Sequence, residues 1–206
     1  MSAAGRVRRV GDRGVLLELR DNDEVHRVAA AARERFGTVL ADVVAGHVTV
    51  LLAWPAPPVD LAVVEAVRAP AAGASAQPEA RTVTIAVTYD GPDLGEVARL
   101  AGCSPEEVAR RHAAAGYRVA FVGFAPGFGY LVGGDPALRV PRRDEPRERV
   151  PAGSVAVAGE YSAVYPAASP GGWQLLGRTD VRVFDAARRP PALLEPGMGV
   201  RFEAAS

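Results

Sequence analysis

The sequence contains no lysine, and all 24 of its basic residues are arginine. This absence excludes a Schiff-base lysine and the lysine of a GxxxxGK[ST] phosphate-binding loop, so any ATP chemistry here must use arginine and backbone groups. The single Cys103 excludes an internal disulfide and a cysteine-based metal cluster. No apolar run approaches the ~18 residues of a membrane-spanning helix, and no signal peptide is recognisable, so we expect a cytoplasmic protein.

Net charge is also absent, because 24 acidic residues balance the 24 basic ones. Without a positive field to hold a phosphate backbone, generic nucleic-acid binding is excluded. Hydrophobic residues make up 49% and charged residues 23%, as in ordinary globular proteins. At about 150 residues per domain, the 206 residues allow one large domain or two small ones.

The first third of the chain has the pattern of a small α/β domain. Alternation predicts a hairpin or bent strand over 6–19, and helical spacing predicts a helix over 22–36. Two strands, over 39–45 and 47–54, and a helix over 58–68 follow. This order favours a ferredoxin-like sandwich.

Residues 69–80, APAAGASAQPEA, have the composition of a linker. The sequence therefore predicts two domains, 1–75 and 76–206. Beyond the linker we expect a strand over 81–89, two helices separated near Gly102, and a strand over 117–124. Glycine and proline are then frequent from 123 to 178, which favours short strands in a β-barrel or sandwich, and an α+β protein overall.

Three segments carry candidate binding residues. Residues 123–131 combine glycines with aromatic side chains, which suits a pocket wall or a purely structural β-corner. Residues 141–149 are rich in arginine, suited to holding an anion, or else to forming a solvated loop of internal ion pairs. A Pro-Gly-Gly turn at 170–172 positions Trp173 for either a binding or a structural role.

Histidines and acidic residues give weaker signals. His26, His47 and His112 lack the spacing of metal ligands, so we expect no metal site. His112, near the end of a predicted helix, favours a charged surface histidine over a catalyst. Asp90, Asp93 and Glu96 precede or begin a helix and are interpreted as capping acids.

Three segments have the sequence pattern of a known family: GPDLGEVARLAGCSPEEVARRHAAAGYRVAFVGFAPGFGYL at 91–131, PRRDEPRERVPAGSVAVAG at 141–159 and YPAASPGGWQLLGRTDVRVFD at 165–185. They resemble the family of the B subunit of bacterial 5-oxoprolinase, also called allophanate hydrolase subunit 1. That family includes a sporulation histidine-kinase inhibitor and a domain of urea carboxylases. The match spans about residues 82–205, with a weaker one before it.

The resemblance implies a cyclophilin-like β-barrel in the C-terminal domain. It implies two partners for the ATP-dependent opening of 5-oxo-L-proline to L-glutamate: the C subunit of the enzyme, which has a similar cyclophilin-like domain, and the A subunit. The chain alone is expected to be inactive, with ATP and Mg bound largely by the partners. Alternatives are an inhibitor that binds a sensor histidine kinase and a component of a urea- or allophanate-processing enzyme.

The resemblance also implies site residues, although it identifies no catalytic nucleophile. Arginines would hold a carboxylate or phosphate and aromatic side chains would form the walls. The expected substrate-binding residues are Phe124, Pro126, Gly127, Phe128, Tyr130, Arg142, Arg147, Ser154, Trp173 and Arg178, with His112 and Tyr165 as further candidates.

Two departures from the family pattern bear on specificity. The chain has GFGYLVGGD where the family usually has GFPYLGGLD, which places Gly129 in the position of a proline and adds Val132. It also has Glu160 and Tyr161 in place of a Gly-Gln pair. We expect these two side chains to add bulk and negative charge at the pocket edge.

Overall fold

This structure, a computed structural model, describes residues 6–69 and 81–205. Contacts divide the chain into two compact units, residues 1–79 and 80–206. The predicted boundary at residue 75 lies outside the described residues, so the division into domains 1–75 and 76–206 stays a prediction. No helix in the described part of the chain is long and apolar enough to cross a membrane.

The first unit contains a four-stranded antiparallel sheet of strand order β1-β2-β4-β3. The sequence predicted every one of its elements. The order β-β-α-β-β-α differs from the β-α-β-β-α-β of ferredoxin-like folds, so the ferredoxin-like prediction is not confirmed. The elements are β1 (Val7–Val10), β2 (Gly14–Glu18), α1 (Asn22–Phe36), β3 (Asp42–Ala45), β4 (Thr49–Ala53) and α2 (Leu61–Arg68).

Helix α1 shows why these residues fold as they do. The Asp21 carboxylate accepts a hydrogen bond from the Glu24 N–H at 2.7 Å and caps the first turn. Val25, Ala29 and Ala32 recur at helical spacing and are buried in the same core as the inner sides of β2 and β4. The period of apolar residues thus determines which side of the helix faces the sheet.

The second unit has short strands joined by tight turns, as the glycine and proline content predicts. Ser104 caps the second of its two longer helices, since its Oγ accepts from the Glu107 N–H at 3.2 Å. The elements are β5 (Thr82–Val87), α3 (Leu94–Ala101), α4 (Pro105–Ala114), β6 (Gly116–Val122), β7 (Gly129–Val132), a 3-10 turn (Pro136–Leu138), β8 (Arg147–Val150), β9 (Ser154–Ala158), β10 (Tyr161–Val164), β11 (Ser169–Gly171), β12 (Gln174–Arg178) and β13 (Gly199–Ala204).

Seven of these strands form a nearly closed barrel in the order β12-β9-β10-β7-β6-β13-β5. Thr88, just after β5, pairs with Arg178 of β12 through two backbone hydrogen bonds of 2.9 Å, which joins the two ends of the sheet. Joining the ends leaves fewer backbone groups unpaired at the sheet edges. The fold class is therefore mixed α and β with a nearly closed β-barrel.

Candidate functional site

Seven aromatic side chains on one side of the barrel form the feature that we call the aromatic cluster. Phe128 lies at its centre and is only 1% exposed, with ring centroids 5.0 to 5.6 Å from those of four neighbours. The sequence predicted five members as candidate site residues and placed Tyr161 at the pocket edge, whereas it did not predict Phe121. The cluster consists of Phe121, Phe124, Phe128, Tyr130, Tyr161, Tyr165 and Trp173.

The turn between β6 and β7 presents one of these rings to solvent. Phe124 has a φ of 65°, a left-handed conformation that costs an L residue energy, and it is 64% exposed. Gly127 in the same turn has a φ of 80°, and a Cβ on it would lie 2.5 Å from the Cβ of Phe184. Pro126 between them is exposed. The turn thus requires glycine at 127 and holds an aromatic ring at the edge of the cluster.

Arg142 lies beside the buried Trp173. Its guanidinium carbon is 5.8 Å from the centroid of the Trp173 ring, within the range of a cation–π contact. The Arg142 side chain is exposed and makes no ion pair within the described part of the chain. The rim of the aromatic cluster therefore carries a cation that is available to an anionic ligand.

The neighbouring arginines are already paired. Arg143 Nη1 and Arg147 Nη2 both donate to Asp93 Oδ1, at 3.0 and 2.7 Å. The interpretation of 141–149 as a loop of internal ion pairs is therefore wrong for these two arginines. Asp93 occupies the N-cap position of α3, as predicted, but its side chain makes no capping hydrogen bond to the helix.

Arg178 and Ser154 lie away from Trp173. They face each other across β12 and β9, and β12 separates Arg178 from Trp173. Arg178 Nε donates to Asp90 Oδ2 at 2.8 Å, and Ser154 is buried. The structure does not bring these two predicted residues into the aromatic cluster, and their role in binding a substrate stays a prediction.

His112 is fully buried, so its interpretation as a charged surface histidine is wrong. Its Nδ1 lies 2.8 Å from the Tyr89 hydroxyl and its Nε2 lies 2.8 Å from Ser162 Oγ. Because Ser162 Oγ donates to the Ala156 carbonyl, it accepts from Nε2–H, and Tyr89 donates to Nδ1. Burial lowers the pKa of His112 to about 3, which keeps the ring neutral.

The residues that depart from the family pattern lie in two different places in the barrel unit. The Tyr161 ring lies 5.5 Å from that of Tyr130 and stacks at 6.5 Å from that of Trp173. Burial, followed by the neighbouring Glu160 charge, raises the pKa of Tyr161 to about 12. Gly129 is buried, and a Cβ there would meet the Leu194 side chain at 3.1 Å. Tyr161 thus adds an aromatic ring to the cluster, whereas a side chain at position 129 would require the end of the Leu194 side chain to move by a few tenths of an ångström.

A groove of about 760 Å³ lies between α4 and the ends of β5 and β13, and the sequence did not predict it. Its lining is mostly apolar and includes Ala109, Ala113 and Phe202. Tyr89, whose hydroxyl forms a hydrogen bond with His112, also lines it.

Most of the arginines that could hold the phosphates of magnesium-bound ATP, which the family resemblance implies, are already paired in the described residues, whereas Arg142 is not. Arg143 and Arg147 are bound to Asp93, and Arg178 is bound to Asp90. In residues 6–69 and 81–205 no group of three or more His, Cys, Asp or Glu side chains could hold a metal ion.

Comparison with known proteins places the chain in a family. Residues 5–194 match the family described as carboxyltransferase domain, subdomain C and D. The chain belongs to this family. Curated relatives named as the B subunit of 5-oxoprolinase confirm the resemblance: that of Escherichia coli O157:H7 is 50% identical over 129 residues, 61% of this chain and 59% of the relative. That of Bacillus subtilis (strain 168) is 46% identical over 125 residues, 59% of this chain and 52% of the relative. The match spans little more than half the length of these relatives.

Solved structures show the same fold in proteins whose sequence identity to this chain is high enough to indicate relationship and in others of much lower identity. The crystal structure of TTHA0988 superposes with a TM-score of 0.81 at 39% identity, covering 94% of this chain and 40% of that one. The uncharacterized protein PH0987 from Pyrococcus horikoshii gives 0.59 at 32% identity, covering 98% of both chains. The Kluyveromyces lactis urea amidolyase gives 0.74 at 18% identity, covering all of this chain and 15% of that one, which shows a shared fold alone.

Proposed function

We propose that the chain belongs to the B subunit of an ATP-dependent 5-oxoprolinase, which opens 5-oxo-L-proline to L-glutamate together with the A and C subunits. The observation that carries the proposal is the exposed Arg142 guanidinium over Trp173, at the rim of the aromatic cluster. Names of relatives at 42–50% identity support the same activity. We further propose that the barrel is cyclophilin-like and that the complex is cytoplasmic.

The proposed role of this chain is to bind and orient the substrate. 5-Oxoproline has one carboxylate and one nearly planar lactam ring. Arg142 pairs with the carboxylate through charged hydrogen bonds, and the partly exposed ring of Tyr130, which packs against the buried Trp173, provides a flat apolar surface for the lactam. Phe124 lies at the edge of that surface. The energy of ATP enters through the partner proteins.

Replacing Arg142 by alanine tests this role. We expect Arg142→Ala to raise the KM for 5-oxoproline in the complex with the A and C subunits by about ten- to a hundredfold, because a charged hydrogen bond contributes ~1.5–3 kcal/mol. Arg149→Ala, an exposed arginine on β8 that lies outside the site, serves as the control. An Arg142→Ala complex with an unchanged KM would remove Arg142 from the site.

Urea-derived substrates are a second candidate, because the fold is shared with the urea amidolyase and urea carboxylase of Kluyveromyces lactis. Allophanate also has a carboxylate and a planar amide, so the same residues would bind it. Steady-state assays of one complex with 5-oxoproline and with allophanate distinguish the two, since the proposal requires the higher kcat/KM for 5-oxoproline. The histidine-kinase inhibitor stays a prediction that no described contact favours.

A further inference from the structure

Asp93 connects three segments that are distant in the sequence. It lies just before α3 and is 3% exposed, and its Oδ1 accepts from Arg143 and Arg147, 50 and 54 residues away. Its Oδ2 accepts from the Leu175 backbone N–H at 2.7 Å, 82 residues away. One carboxylate thus joins the start of α3, the loop 141–147 and strand β12.

The charges around Asp93 account for its burial. Burial alone would raise the pKa of the Asp93 carboxyl, but the hydrogen bonds from Arg147 and Leu175 and the two guanidinium charges outweigh it and lower that pKa. A buried carboxylate is tolerated when it is paired and hydrogen-bonded in this way. Conversely, Arg143 Nε and Arg147 Nη1 are buried without a hydrogen-bond partner in the described part of the chain, so both arginines depend on Asp93.

The three contacts of Asp93 lie on either side of the pair formed by Arg142 and Trp173. Arg143 follows Arg142 directly, and its backbone N–H donates to the Gly172 carbonyl at 2.7 Å, next to Trp173. Leu175 lies two residues after Trp173. Asp93 therefore holds the chain segment of the cation and the chain segment of the ring in one place.

We propose that Asp93 is a positioning residue, which holds the loop 141–147 against the Gly172–Trp173 turn so that Arg142 lies over Trp173. The inference rests on the proposed function only in the identity of the ligand, a small carboxylate such as 5-oxoproline. Asp93 itself does not touch the substrate. Its effect is on the fraction of molecules in which Arg142 is oriented for binding.

The test is the substitution Asp93→Asn, which keeps the shape and removes the charge. Glu96→Gln is the matched control, because Glu96 lies on α3 and is also paired with an arginine, Arg99 at 2.6 Å, but in an exposed position. Hydrogen exchange of the free chain is measured at the backbone N–H groups of Arg143 and Leu175. We expect exchange at both to be at least about tenfold faster in Asp93→Asn and unchanged in Glu96→Gln.

A second measurement links the loop to the site. In the complex with the A and C subunits, Asp93→Asn should raise the KM for 5-oxoproline about tenfold or more while kcat changes by less than about twofold, because orientation for binding is lost and the reacting groups are not. Unchanged exchange at Arg143 and Leu175 would overturn the proposal. If 5-oxoproline is not a substrate, KM gives no signal but the exchange result still decides the role of Asp93.

A milder variant tests the same proposal if the Asp93→Asn chain does not fold. If Asp93→Asn does not give a cooperative thermal unfolding transition, Arg143→Ala replaces it, since this change keeps the Arg147 and Leu175 contacts to Asp93. We expect faster exchange at the Arg143-position N–H, with Leu175 protected as in the parent chain. Equal protection at both positions would contradict the role of the Asp93–Arg143 pair.

Discussion

His112 is a polar ring inside an apolar core, and two hydroxyl groups make this possible. Tyr89 and Ser162 satisfy both ring nitrogens, and the aromatic rings of Tyr117 and Phe202 pack around it at 5.3 and 4.5 Å between centroids. A protonated ring would lose one acceptor contact and bury a charge. The core is therefore built for the neutral form.

A pH dependence of stability follows from this. The folded protein keeps His112 neutral down to about pH 3, whereas the unfolded chain takes up a proton below about 6.5. Acidification therefore favours unfolding, and this group alone lowers the free energy of unfolding by about 1.4 kcal/mol per pH unit between those values. We expect His112→Gln to unfold more easily at pH 8, by about 1–3 kcal/mol, and to show a shallower slope between about pH 5 and 6.5.

Denaturant unfolding in a Trp54→Phe background measures this, because Trp173 is then the one tryptophan of the chain and reports on the second unit. Carboxylates titrate mostly below the chosen window, and the difference between the two chains isolates His112. A parent chain and a His112→Gln chain with the same slope would contradict the neutral buried ring.

The roles of individual residues were harder to predict from the sequence than the elements were. Asp93 and His112 both lie in or beside a helix in the sequence, and local rules assign them to a cap and to a charged C-terminal end. Arg143 is 50 residues from Asp93, and Ser162 is 50 residues from His112, whose other partner, Tyr89, is 23 residues away. No local pattern contains these pairings. The sequence singled out the aromatic residues at 124–130 from the alternation of glycine and aromatic residues, which left a pocket wall and a structural β-corner both open.

At the scale of elements, closure of the barrel depends on two glycines where the segment after β5 meets β12. A Cβ on Gly177 would lie 2.1 Å from the Thr88 carbonyl oxygen, and one on Gly91 would lie 2.2 Å from the Leu175 carbonyl oxygen. Backbone atoms on both sides leave no room for a side chain. The bridge between Thr88 and Arg178 is therefore possible because residue 177 has none.

The substitution Gly177→Ala tests the closure. We expect it to lower the free energy of unfolding of the second unit by about 1–3 kcal/mol, because the backbone must shift to admit the methyl group. Gly95→Ala is the control: it lies on α3, a Cβ there meets nothing within 4 Å, and alanine favours a helix by about 1 kcal/mol over glycine.

Denaturant midpoints of the three chains give the comparison. A Gly177→Ala chain as stable as the parent would show that the ends of the sheet are not held together at this bridge. The elements up to β6 were mostly predictable, since α1 has the predicted bounds and the strands differ by a few residues, whereas β7 to β13 were predicted only as short strands without bounds. The order of the strands in the sheet was not predictable. Thr88 and Arg178 are distant in sequence, and the alternation of apolar and polar residues does not show which strands pair.

The whole molecule has a net charge of zero, but its positive charges are unevenly distributed along the chain. Arginines 142, 143 and 147 lie within one loop, and Asp93 neutralises part of their charge, which leaves Arg142 without an ion pair in the described residues. The absence of lysine fits this arrangement, because a planar guanidinium can both stack on Trp173 and bind a carboxylate with two parallel hydrogen bonds. Substrate binding is thus proposed for this chain, and the use of ATP for its partners.

The curated relatives are each named as one subunit of an enzyme, so we propose that the activity of a complete enzyme is a property of an assembly. We expect the isolated chain to leave 5-oxoproline unchanged with or without ATP. Addition of the A and C subunits from the same organism should give turnover, because we propose that this chain binds the carboxylate of the substrate and that its partners supply the use of ATP.

The most direct test is the rate of L-glutamate formation from 5-oxo-L-proline and ATP in the mixture of this chain with the A and C subunits. The predicted result is glutamate only when all three proteins and ATP are present, with a strong loss when Arg142→Ala replaces the parent chain at substrate concentrations below KM. A mixture that forms glutamate equally well without this chain, or that forms none although the three proteins co-purify as one complex, would contradict the account.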